Sequence, residues 1–182
     1  CFRLTSIPIP NNVASIGYHA FSYCKSLASI NLPANISMID EYAFTACFNI
    51  ETLIITGPGP MCDSDNFYSI FSPLNTYIKN VTLENGVTYI GVRSFNLFKQ
   101  LKSIDLSDSI ISIGASAFEY CSFDSINLPD SLISIGYSAF RYCRKLISLN
   151  IIHLKEIPTF IVYITEILNK NYFKKKKFSI GS

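Results

Sequence analysis

A unit of about 23 residues recurs along most of this chain, and such a period limits the possible folds more than any other property. The stretches "NVASIGYHAFSYCKSLASIN", "NISMIDEYAFTACFNIETLI", "SIISIGASAFEYCSFDSINL" and "SLISIGYSAFRYCRKLISLN" are near copies of one another. Their apolar anchors Leu4, Leu27 and Ile50 are evenly spaced, and the same interval separates Ile78 from Leu101 and Phe123 from Leu146. The step from Leu101 to Phe123 is shorter by a single position, and the step from Ile50 to Ile78 is the long, irregular one. Self-similarity at this period is the mark of a stacked repeat, in which no unit buries its apolar side alone and neighbours complete each other's core.

Within a unit the template is L-x-x-I-x-L-P-x-x-V-x-x-I-G-x-x-A-F-x-x-C-x-x. The opening, as in "LASINLP", alternates apolar and polar residues, as a half-buried strand does. Ile30 and Leu32 point inward and Ser29 and Asn31 outward. Pro10, Pro33 and Pro129 lack the N–H a ladder needs and are expected to end their strands. Val13 with Ile16, and Leu132 with Ile135, form a second inward pair. Gly17, Gly91, Gly114 and Gly136 are expected at a bend of positive φ, with Asp40 standing in once. The segment "YHAFSYC" is expected to form a short helical turn carrying Ala20, Phe21 and Cys24. Stacking aligns Phe21, Phe44, Phe95, Phe118 and Phe140. The fold predicted is an α/β solenoid, with one short parallel strand per ~23-residue coil, short helical turns on the other side, and a rise of about 4.8 Å per coil.

Three segments, "SIGYHAFSYC", "SIGASAFEYC" and "SIGYSAFRYC", with "INLP" twice, resemble the BspA-like leucine-rich repeat family over about residues 4–152. That resemblance implies a right-handed leucine-rich-repeat solenoid, no catalytic residues, and a surface-exposed or secreted protein with adhesive or binding roles. The solenoid is assigned to residues 1–158, with an irregular unit and insert at 57–77. Residues 159–182 depart from the pattern and are read as a capping helix, with Phe160, Ile164, Ile167 and Leu168 at helical spacing, and a basic tail. Because the chain starts at Cys1, it is read as a fragment or processed form.

Apolar residues make up 49% and charged residues 15%, which excludes disorder for most of the chain. The net charge of +2 is uneven, because Lys170 and Lys174–Lys177 against Glu166 place a local +4 in the stretch 159–182. Cations confined to a terminal run are not the basic folded face of a nucleic-acid binder, so nucleic acid is excluded as a partner. Membrane contact through the lysine tail is a minor alternative. The longest apolar run, "TFIVYITEIL", is too short to span a bilayer.

Cys24, Cys47, Cys121 and Cys143 share one repeat position, which Phe98 fills in another unit. Phenyl cannot replace a metal ligand, so the cysteines are read as core residues in the reduced state, and neither metal nor cofactor is expected. Cys1 and Cys62 are placed outside this ladder. Asp63 and Asp65 in the insert lack the acid–Gly alternation of a calcium loop, and Phe71 is expected to restore an aromatic to the core. Asn35-Ile36-Ser37 and Asn80-Val81-Thr82 are glycosylation sequons if the protein passes through a eukaryotic secretory route. Tyr23, Tyr120 and Tyr142 share one outer position, and Tyr18 and Tyr137 another; packing between coils is favoured over recognition for them.

No nucleophile–base pair, carboxylate pair or ligand cluster recurs at a useful spacing, so a non-catalytic module is expected. Its outward strand positions form columns. One runs Ser6, Ser29, Thr52, Asn80, Ser103, Ser125 and Ser148. The second runs Pro8, Asn31, Ile54, Thr82, Asp105, Asn127 and Asn150, and a third includes Glu84 and Ser107. Asn31, Thr82, Asp105, Asn127 and Asn150 are the candidate ligand-binding residues. The function expected is protein or glycan binding at a cell surface or in the extracellular space. The alternative is an intracellular interaction scaffold using the same face.

Overall fold

The computed structural model describes residues 3–63 and 69–149. The expected helix and tail at 159–182, and Cys1, Asp65 and Asn150, lie outside the described residues.

Each of the first six coils contributes two short strands, and the seventh is described only through its first. The first series is β1 (Ser6–Pro8), β3 (Ser29–Pro33), β5 (Thr52–Thr56), β7 (Asn80–Leu83), β9 (Ser103–Leu106), β11 (Ser125–Ile126) and β13 (Ser148–Leu149). The second is β2 (Ser15–Ile16), β4 (Met38–Ile39), β6 (Gly59–Pro60), β8 (Val87–Ile90), β10 (Ser112–Ile113) and β12 (Ser134–Ile135). All pairing is parallel. The first series forms a five-stranded sheet β1-β3-β5-β7-β9 and a pair β11-β13, and the second forms β2-β4 and β6-β8-β10-β12. The register is the sequence period: Ser6, Ser29, Thr52, Asn80 and Ser103 are successive partners. β3 ends on Pro33, as its missing N–H requires, whereas β1 and β11 stop before Pro10 and Pro129.

Between the two strand series lies one continuous core. Alternation places Ile30, Leu32, Leu53, Ile55, Val81 and Leu83 inside, all at most 2% exposed. Phe95, Phe118 and Phe140 stack at 5.5 and 5.4 Å between ring centroids, and Phe21 stacks on Phe44 at 5.4 Å. The insert restores the ladder as expected, with Phe71 buried and stacked on Phe95 at 5.6 Å. Phe98 and Phe123 meet their neighbours edge-on.

Two expectations are corrected. The side opposite the first sheet holds no helical turns; one 3-10 turn, Ser72–Leu74, is the sole helical element among the described residues. There the backbone N–H groups of alternate residues point at the next coil instead of along their own. Phe21 N–H donates to Ala43 O (2.9 Å) and Tyr23 N–H to Thr45 O (2.8 Å); Phe95, Leu97, Phe118 and Tyr120 repeat the pattern. A helix would need those groups for itself. The architecture is therefore a parallel β-solenoid closed by turns.

The second correction concerns glycine. Positive φ falls not on Gly17, Gly91, Gly114 or Gly136 but on the residue two positions later, His19, Arg93, Ser116 and Ser138, and on the residue before the ladder cysteine or its Phe98 replacement, Tyr23, Ala46, Leu97, Tyr120 and Tyr142. The repeat glycines answer to close approach. A Cβ on Gly136 would lie 2.5 Å from Ala115 N, one on Gly114 2.6 Å from Val92 N, and one on Gly91 would strike the Cys62 carbonyl. Where Asp40 replaces glycine, its carboxylate accepts from Tyr42 N–H (2.9 Å), and Tyr42 does not share the positive φ found at that place in other coils.

Candidate functional site

The first sheet brings three of the five candidate residues, Asn31, Thr82 and Asp105, onto its outer face. Asn31, Ile54, Thr82 and Asp105 are successive register partners, with Pro8 at the start of the column. Asn31 and Thr82 are half-buried, and Asp105 and Asn127 are exposed. Asn127 follows β11, beyond its last paired residue, so it continues the column without a ladder bond of its own. Asn150 lies outside the described residues.

The neighbouring column is tied together sideways. Ser103 Oγ donates to Asn80 Oδ1 at 2.8 Å, and Lys79 pairs with Glu51 one coil away. Asn80 is thus half-buried and hydrogen-bonded at the start of β7, whereas Asn35 is exposed, its amide donating to Asn11 O at 3.1 Å. At the end of β7 and β9, Leu83, Glu84, Asn85, Asp105, Leu106 and Ser107 line an open groove. Ser107 Oγ donates to Glu84 O at 3.1 Å, which ties the third column together beside Asp105. The sequence placed these residues in separate columns; only the turn after each strand brings them together.

The cysteines behave as core residues. Cys24, Cys47, Cys121 and Cys143 are buried free thiols. Cys47 donates to Phe21 O at 2.9 Å, Cys121 to Phe95 O at 3.1 Å and Cys143 to Phe118 O at 3.0 Å, each reaching the phenylalanine of the preceding coil. Burial pushes the Cys143 thiol up to about 12 and the Cys121 thiol well above its ordinary value. Such thiols are poor nucleophiles and poor ligands at neutral pH.

Asp63 has a structural task. Its carboxylate accepts from Tyr89 OH and Val92 N–H, both at 2.7 Å, and fastens the insert to the following coil. Burial first, and then that bond, push the Tyr89 phenol up to about 12. A serine–histidine contact, His19 Nδ1 to Ser22 Oγ at 2.5 Å, lies on an exposed turn. The Ser22 hydroxyl also donates to Tyr42 O at 3.1 Å, which ties the turn to the next coil. Among the described residues no three His, Cys, Asp or Glu side chains converge as a metal site.

On the turn side, Tyr120 and Tyr142 stack at 4.6 Å, in line with packing between coils, and Arg141 lies over the Tyr142 ring. The sequence reading did not single out Ile111, Ile133 and Ile147, which are 44%, 73% and 75% exposed. Ile111 and Ile133 share a repeat place held by Ala14 and Ser37 in earlier coils, and that switch to isoleucine was the available signal.

Parallel coils, an in-register phenylalanine core and polar outward columns define a leucine-rich repeat solenoid. The chain belongs to the BspA-type leucine-rich repeat family, whose model matches residues 1–72 and 68–182 in six copies. No curated protein matches it. It is similar to a leucine-rich repeat protein from Bacteroides ovatus, at 29% identity over 78% of this chain and 32% of that one, with a TM-score of 0.42. It is also similar to a leucine-rich cell surface protein from Faecalibacterium prausnitzii, at 23% identity over 79% and 46% of the chains, with a TM-score of 0.43. A leucine-rich repeat protein of T. pallidum is 18% identical over 91% and 84% of the chains, with a TM-score of 0.47. The chain thus spans less than half the length of the first two.

Proposed function

We propose that the chain is a non-catalytic binding module of a cell-surface or secreted protein, taking a protein or glycan on the outer face of the first sheet. The observation that carries this reading is the register of Asn31, Thr82 and Asp105 with the groove beside Asp105. Amide, hydroxyl and carboxylate groups share one column, with Ile54 between Asn31 and Thr82, and without the aromatic anchors that dominate tight interfaces. Such a surface favours weak contacts repeated along a ligand and strengthened when many copies share one surface. The location is the one that a BspA-type repeat implies; the F. prausnitzii protein is described as a leucine-rich cell surface protein. Free thiols do not argue for a reducing compartment, because buried thiols of raised pKa resist oxidation.

The test is binding of the whole chain to arrays of immobilised glycans and extracellular proteins, repeated with variants. Thr82→Arg with Asp105→Arg is expected to lower retention at least tenfold with an unchanged circular dichroism spectrum. Tyr120→Ala with Tyr142→Ala is expected to retain binding. The opposite pattern would move the site to the turn side and refute the assignment.

A further inference from the structure

The turn that joins β7 to β8 carries Asn85-Gly86, the one Asn–Gly step in the sequence. Val87 N–H donates to Glu84 O at 3.3 Å across the turn, and Gly86 holds a φ of 101°. That is the signature of a type II turn, whose third residue needs the freedom of glycine. Asn85 is exposed and lines the open groove with Glu84 and Asp105. Gly86 N–H points at the next coil, where Ser109 Oγ accepts it at 3.0 Å; the same hydroxyl donates to Val87 O at 2.8 Å. On the other side, Gly86 O accepts from Gly59 N–H at 2.8 Å. The turn is thus tied to the coils before and after it.

The chemistry of this step follows from the side chain that glycine lacks. Nothing on Gly86 hinders its nitrogen from closing on the Asn85 side-chain carbonyl to make a five-membered ring. Asn35, also exposed, is followed by Ile36, whose branched side chain crowds the same approach. We propose that Asn85 is a site of spontaneous deamidation, slowed in the folded chain by the Ser109 hydroxyl. Gly86 N attacks Asn85 Cγ; the N–Cγ bond forms, the Cγ–Nδ2 bond breaks, and the N–H proton leaves with that nitrogen as ammonia. Water then opens the cyclic imide at either carbonyl, giving aspartate or isoaspartate with no change of oxidation state. Attack requires Gly86 N to lose its proton. The bond to Ser109 Oγ stabilises the protonated amide and opposes that loss. The product adds a carboxylate to a groove that already holds Glu84 and Asp105, and isoaspartate lengthens the turn's backbone by one carbon. The outer face of the first sheet therefore grows more acidic as the protein ages.

The test holds the whole purified chain at neutral and at mildly alkaline pH and follows each asparagine by peptide mass spectrometry. Asn85 is expected to convert first, as a mixture of aspartate and isoaspartate, and faster at the higher pH. Ser109→Ala should speed conversion roughly fivefold, the factor that one hydrogen bond of about 1 kcal/mol is worth, with an unchanged circular dichroism spectrum. Ser109→Thr, which keeps the hydroxyl, should stay near the parent rate, and the urea-unfolded chain should convert fastest of all. Absence of conversion at Asn85, or conversion of Asn35 or another asparagine ahead of it, would overturn the site. A Ser109→Ala rate equal to the parent's, or a Ser109→Thr rate equal to that of Ser109→Ala, would overturn the brake. None of these readouts involves a ligand, so their outcome is independent of what the outer face binds.

Discussion

Replacing Gly136 with alanine separates two explanations for the repeat glycine. If the glycine served a positive φ, Gly17→Ala and Gly136→Ala would be equally harmful. Neither residue has a positive φ, and their surroundings differ. At Gly136 the new methyl would lie 2.5 Å from Ala115 N, 2.6 Å from Gly114 C and 2.9 Å from Ala115 Cα, whereas ordinary contact begins at 3.4 Å. Relief requires the two coils to part by about 0.9 Å, the difference between 3.4 and 2.5 Å. Gly136 N–H to Ile113 O, now 2.7 Å, would stretch to roughly 3.6 Å, beyond a useful hydrogen bond. Losing that bond costs about 1 kcal/mol, and overpacking adds about 1–3 kcal/mol. Gly136→Ala is therefore expected to destabilise by about 2–4 kcal/mol. Gly17→Ala, facing open space, should be neutral or stabilise by up to about 1 kcal/mol, through a less flexible unfolded chain. Urea unfolding followed by circular dichroism, with the m-value checked for constancy, measures both. Equal losses at the two sites would refute the close-approach argument.

Phe118→Ala removes a ring that is 0% exposed and stacked on both sides; equilibrium denaturation should show a loss of roughly 3–5 kcal/mol. Ser138 holds φ 55°, so Ser138→Val should cost about 1–2 kcal/mol, while Ser138→Gly should stay within about 0.5 kcal/mol of the parent, its relief of strain offset by chain entropy. The Cys143 thiol binds its proton more tightly in the folded chain, at about 12, than its ordinary value of 9.0. The stability from that shift is fully present below about pH 9 and is lost as pH rises toward 12, so Cys143→Ala should flatten the alkaline fall in the urea midpoint. Alkylation followed by mass spectrometry should label Cys62, which is half-buried, in the native chain, and Cys24, Cys47, Cys121 and Cys143 only after unfolding; a Cys24–Cys47 disulfide would contradict the thiol ladder.

Much of this architecture was legible because a stack of equal coils turns spacing into register. Leu27 and Ile50 stand one period apart in sequence, and Ser29 and Thr52 are paired in space for the same reason. Even the irregular coil was legible at Phe71, since a ladder of rings leaves a vacancy that only an aromatic fills. The turns were not. "YHAFSYC" has the apolar spacing of a helix, but Tyr23 adopts a left-handed backbone that its residue type does not announce. Its N–H serves the next coil, a tertiary preference that local propensity does not carry. The glycine error had the same origin: a single unit suggests torsional freedom, and only the neighbouring backbone at Ala115 shows that the missing atom is the point. For the binding face, Asn31, Thr82 and Asp105 followed from alternation, whereas the groove with Glu84 and Ser107 depends on how each strand leaves the sheet.

The sideways bonds of the turns have a mechanical consequence. Strand ladders and turn N–H groups alike run along the stack, so tension between its two ends loads every bond along its own direction. Such bonds open one coil at a time, like a zipper, instead of resisting together in shear. A released coil of about 23 residues can extend to roughly 75–80 Å, having occupied about 4.8 Å in the stack. Pulled from its ends, the solenoid would lengthen in steps at low force and act as a compliant tether.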